Sequence, residues 1–138
     1  MAFAVTFVFT SALMPAMMIF FGRWLRDHAP PDINCGFGYR TKRSMASKET
    51  WDFANSTAGN YLVGLGKRCL PASVAAGVLV SVFVLASGIG ERHQAFFIYG
   101  ICALQVSALL SVIPYTERKL KIEFGQGKAA DRGPAIDN

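Results

Sequence analysis

Residues 69–90 read CLPASVAAGVLVSVFVLASGIG, without one charged side chain. As an α-helix rising about 1.5 Å per residue, such a run covers roughly 30 Å, the thickness of bilayer hydrocarbon. Its apolar residues are continuous, whereas a helix or strand at the surface of a soluble domain would space them at 3.6 or 2. Lipid is therefore the expected solvent. Outward toward the N-terminus, residues 2–21 (AFAVTFVFTSALMPAMMIFF) form a second uncharged run. On the other side, after Glu91-Arg92-His93-Gln94, residues 95–114 form a third, with Gln105 as its one strongly polar side chain. The expectation is an all-α membrane protein with three transmembrane helices at about 2–21, 69–90 and 95–114, in one domain over 1–124.

Composition agrees. Of 138 residues, 52% are hydrophobic and 17% charged, more apolar surface than a soluble domain of this size can hide. The first run lacks a basic n-region and a small-residue cleavage site, so it is read as a retained span and not a signal peptide. The net charge of +5 does not argue for nucleic acid, because the basic residues lie between the apolar runs and form no basic face on a soluble fold. Eight Lys and Arg residues fall between Gly22 and Arg68, one in the short link and five after Pro114. The positive-inside rule then puts the N-terminus outside and the long loop, 22–68, and the C-terminal tail in the cytoplasm.

Cys35, Cys69 and Cys102 form no CxxC pair and have no histidine at ligand spacing, so neither a disulfide framework nor a metal site is expected. No nucleophile and base, paired carboxylates or cofactor motif is visible, and catalysis is not expected. His28 and His93 fall on opposite sides of the membrane in this topology. Between spans, small residues govern close approach. Ser73, Gly77 and Ser81 on the second span and Ala103, Ser107 and Ser111 on the third recur every four residues, which predicts that these two spans pack as a tight hairpin. Gln105 should face the bundle, as interhelical glue or as a contact for a transported substrate.

The loop is long for a connector, and such loops carry function or are disordered. Pro30-Pro31 stops any extension of the first helix, and Asn34, Gly36 and Gly38 permit sharp bends. From Ser44 or Ser47, either of which can act as N-cap, the pattern turns helical: Trp51, Ala54, Asn55, Ala58 and Leu62 recur at three and four. This predicts a cytoplasmic amphipathic helix on the membrane surface, Trp51 at headgroup depth, with Gly64, Gly66, Lys67 and Arg68 turning the chain into the second span. Arg40, between glycines and Thr41, could cradle a phosphate or carboxylate, or could pair with Glu49, Asp52 or Glu117 while Asn55 caps a turn. Thr116 and Glu117 suit the start of a further helix that brings Glu117 toward the loop's arginines. Residues 125–138 are rich in Gly, Lys, Asp and Pro and are expected to be disordered.

The run PDINCGFGYRTKRSMASKETWDFANSTAG resembles the SdpI family of bacterial membrane proteins. Asn34, Gly38, Arg40 and Thr41 match an N-x-x-x-G-x-R-T segment, Ser44 the serine that follows, and Trp51, Ala54 and Asn55 a W-x-x-A-N helix, with Pro31 and Gly59 beside them. Thr116, Glu117 and Leu120 match a Thr-Glu-x-x-Leu segment after the last span. The resemblance runs from about Pro31 to Phe124. It implies a multi-pass protein of the bacterial plasma membrane and a binding or immunity role against a secreted toxin. The family's founder also sequesters a transcriptional repressor, and founder-like members carry additional spans ahead of the motif. Membrane lipid and a toxin or partner membrane protein are the partners so implied, and a homo-oligomer stays open. The competing readings are an auxiliary subunit of a larger membrane complex and an oligomeric transport or channel component.

Overall fold

The computed structural model describes residues 2–29, 31–34, 36–88 and 91–125, with side chains from Ala4 onward and, after the second span, from Ala95 onward. Among the described residues there are four helices and no strand: α1 (Ala2–Asp27), α2 (Lys48–Ser87), α3 (Glu91–Leu110) and α4 (Val112–Gly125). Three segments are long and apolar enough to cross a membrane: Ala4–Asp27, Lys48–Ser87 and Ala95–Gly125.

The last of these joins α3 to α4 through a break at Ser111. Pro114 has no N–H for the Leu110 carbonyl, and its ring crowds that carbonyl. Just before the interruption, Ser111 donates its N–H to Ser107 O at 3.2 Å and its hydroxyl to Ala108 O at 2.5 Å. The third span therefore gives way to α4 at Val112, earlier than Thr116. The expected tail, 125–138, lies outside the described residues except for Gly125, which ends α4.

Two expectations are corrected. The amphipathic helix is not a separate element. Helix α2 begins at Lys48 and runs for 40 residues through Gly64, Gly66 and Pro71 without a turn. The reason is that Gly66 is used for close packing and not for bending: a Cβ there would meet the Pro15 carbonyl oxygen at 2.8 Å and Ile19 Cγ1 at 2.7 Å. Nor do the second and third spans form the tight hairpin. The dominant helix pair is α1 with α2. Gly77 lies against Ser11 and Val8 of α1, while Ala103 and Ser107 are exposed.

The α1–α2 seam has three points of close approach. Gly59 faces Gly22, Gly66 faces Pro15 and Ile19, and Gly77 faces Ser11 and Val8. Spacings of seven and eleven, two and three helical turns, keep all three glycines of α2 on one face, and the partners run antiparallel down α1. In lipid, where apolar side chains gain little from leaving their solvent, such backbone proximity supplies the packing energy.

Gln105 faces the bundle, as expected, and is 5% exposed. Its Nε2 donates to Ser11 O at 2.7 Å and to Ser73 Oγ at 3.0 Å. The first bond has a specific cause. Pro15 lies inside α1 and cannot donate to the carbonyl four residues back, which is that of Ser11. The third span thus supplies the hydrogen bond that a proline removed from the first. Gln105→Leu should cost about 1 kcal/mol of stability in detergent, and less than half of that in a Pro15→Ala background, where residue 15 regains its donor. Equal costs in the two backgrounds, measured by thermal unfolding, would refute this coupling.

Candidate functional site

The loop between α1 and α2 folds into a cap over one end of the bundle, held by hydrogen bonds within the loop, to α2 and to Ile113 of α4. Asn34 Oδ1 accepts from the N–H groups of Gly36 and Phe37, both at 2.9 Å, closing an Asx-type turn. Gly38 follows with φ +120°, a conformation open to glycine. It also lies flat against Trp51, since a Cβ would approach the indole Cη2 at 2.7 Å.

The next N–H, that of Tyr39, donates to Asn55 Oδ1 at 2.7 Å, and Asn55 Nδ2 donates to Trp51 O at 2.8 Å. Ser44 is fully buried. Its hydroxyl accepts from Thr41 N–H at 2.8 Å and donates to Tyr39 O at 2.8 Å. Ser47, not Ser44, is the N-cap of α2, in a capping box with Thr50.

The cap is then tied to α4. Tyr39, Ala54, Ala58 and Leu120 form a buried cluster, flanked by Leu25, Phe53, Val112 and Phe124. The Tyr39 hydroxyl donates to Ile113 O at 3.2 Å, near the break between α3 and α4. Burial first, and the Glu117 carboxylate second, push the Tyr39 phenol up to about 12, while the Thr116 hydroxyl acts in the opposite sense. The phenol is a neutral donor at any ordinary pH.

Of the residues singled out in the sequence, Gly38, Thr41, Ser44, Trp51 and Asn55 meet in one hydrogen-bonded and packed unit, and Asn34 holds the turn leading into it. Trp51 is 0% exposed and enclosed by protein, a correction to its expected place among lipid headgroups. Glu117 does come to a loop arginine, but to Arg43, at 3.7 Å. Arg40 is exposed, and among the described residues it pairs with no carboxylate. No three metal-ligating side chains meet among the described residues. Tyr39 is the residue that sequence reasoning missed; its place between Gly38 and Arg40, inside the motif, was the available signal.

Three membrane-crossing segments closed at one end by this cap define a multi-pass integral membrane protein. The chain belongs to the SdpI/YfhL protein family, whose profile matches residues 32–116, more than half of its length. The match opens just before the Asn34 turn and closes on Thr116, so it takes in the cap and both later spans. No curated protein and no solved structure matches the chain.

Proposed function

We propose that this protein is a binding and immunity protein of the bacterial plasma membrane that protects its host against a secreted toxin. The observation that carries the reading lies in the cap. Asn34, Gly38, Thr41, Ser44, Trp51 and Asn55 are committed to internal contacts, while Arg40 stands exposed and unpaired among the described residues. A rigid scaffold that presents one planar, permanently charged guanidinium suits recognition of a phosphate or carboxylate on a lipid headgroup or a partner protein. In this reading the cap and the C-terminus face the cytoplasm and the N-terminus lies outside. The clustering of Arg23, Arg26, Lys42, Arg43, Arg118 and Lys121 toward the cap end supports that orientation. A pore has less support, because Gln105 already donates to Ser11 and Ser73.

The test is survival of a sensitive bacterial host challenged with secreted peptide toxins, comparing wild type with Arg40→Ala at matched membrane levels. A C-terminal reporter in each would verify insertion and sidedness. Protection by wild type, lost in Arg40→Ala, is the expected outcome. Absence of protection from both, with correct insertion, would overturn the immunity reading in favour of an auxiliary subunit.

A further inference from the structure

A second cationic feature lies away from the cap motif, on the outer side of α2 where it meets the α3–α4 break. Tyr61 and Tyr115 stack there with ring centroids 4.3 Å apart, and the Tyr61 hydroxyl pairs with Ser111 Oγ at 2.8 Å. Beside this wall opens a cavity of about 570 Å³, lined by Asn60, Thr57, Arg68 and Lys119 among others. Among the described residues neither Arg68 nor Lys119 pairs with a carboxylate.

The depth of Arg68 makes this unusual. The seam sets α2 against α1 with Gly59 beside Gly22 and Gly66 beside Pro15 and Ile19. Arg68 is two residues further along α2 and so sits roughly 13 Å deeper than Arg23, at the level of the uncharged stretch of α1. A guanidinium at that level has to reach toward the interface or find an anion, and its long stem lets it do both along a groove. Lys119, past the apolar end of the third span, marks the interfacial end of the same groove.

We propose that this groove is a binding site for an anionic glycerophospholipid of the leaflet on the cap side. Arg68 and Lys119 hold the phosphate-bearing headgroup, Asn60 and Thr57 offer hydrogen bonds to it, and the stacked tyrosines form the wall along which the glycerol and upper acyl chain lie. Basic pockets between membrane helices recognise lipid headgroups of this charge. An apolar lining would not distinguish anionic from zwitterionic lipid; two cations that pair with no carboxylate among the described residues do.

Native mass spectrometry and thermal unfolding of the full-length protein in detergent would test the site, with added phosphatidylglycerol, phosphatidylcholine or inorganic phosphate. Wild type should retain and be stabilised by phosphatidylglycerol in preference to phosphatidylcholine. The paired variant Arg68→Gln, Lys119→Gln should lose roughly 25-fold in that affinity, about 2 kcal/mol at 1.4 kcal/mol per decade. Both side chains are exposed, so the variant should fold. A control that also removes two cations, Lys42→Gln with Lys121→Gln, should bind as wild type does. Thr57→Trp, which fills the groove without touching charge, should weaken binding as well. Equal retention by wild type and the paired variant, or equal losses in the paired variant and the control, would overturn the proposal. So would inorganic phosphate that stabilises as well as the lipid, since that would describe a site for a soluble anion.

Discussion

Gly59→Leu is expected to abolish the folded state in detergent, while Gly64→Leu, little more than one turn away, should be tolerated. A Cβ on Gly59 would meet the Gly22 carbonyl oxygen at 2.6 Å, the Arg26 nitrogen at 2.8 Å and Arg26 Cβ at 2.9 Å. Two of these are backbone atoms of a helix that cannot move locally, so the change must push α1 and α2 apart along the whole seam. Overpacking of a rigid interior costs about 1–3 kcal/mol, and a clash with backbone belongs at or above the upper end. At Gly64 a Cβ would meet nothing within 4 Å. Size-exclusion profiles and thermal unfolding of the two variants, at equal expression, decide the matter. Similar behaviour of the pair would mean that the seam is not what holds the bundle.

The second large effect is expected in the cap. Gly38→Ala combines two penalties: an L-residue forced to φ +120°, and a Cβ 2.7 Å from the Trp51 ring. Strain of the first kind costs about 1–3 kcal/mol, and displacing a fully buried indole adds a similar amount. Gly36→Ala is the comparison. It has no positive φ, and its Cβ would come only within 3.5 Å of Asn34 Oδ1, so it should fall within about 0.5 kcal/mol of wild type. Tryptophan fluorescence together with limited proteolysis of the 28–47 segment would report loosening of the cap in Gly38→Ala alone. A rigid cap in that variant would show that the Trp51 contact is dispensable.

Much of the architecture is legible in the sequence because lipid penalises charge locally. A charge-free run of twenty residues needs no knowledge of its neighbours to be read as a span, and Gln105 within such a run has to turn inward. The pairing of spans is different. A stripe such as Ser73, Gly77 and Ser81 marks a face suited to close approach, yet it does not say which helix fills it. The better signal was the spacing of Gly59, Gly66 and Gly77, which crosses the supposed boundary between loop and span.

That boundary was misleading for a physical reason. Gly64, Gly66, Lys67, Arg68 and Pro71 carry the chemistry of a helix end, but packing against Pro15 and Ile19 stabilises the helix straight through them. In the cap, the motif residues were visible as a set while their contacts were not. Trp51 has the composition of an interfacial anchor, and only the bare face of Gly38, thirteen residues earlier, makes room for it inside the protein. The choice of Arg43 over Arg40 as the neighbour of Glu117 likewise depends on the turn built by Thr41 and Ser44, which no periodicity encodes.

The unbroken course of α2 makes it a stiff lever. Its membrane-embedded half and the half that carries Trp51 and Asn55 belong to one rod, on the order of 60 Å long at 1.5 Å per residue. With Gly66 as the pivot against α1, a change of 10° in tilt would sweep the Lys48 end through roughly 5 Å, with no hinge along the way to absorb it. No proline interrupts α2 between Lys48 and Gly66, so whatever loads the seam at Gly66 is felt mechanically at the cap, and anything gripping the cap loads the seam in return.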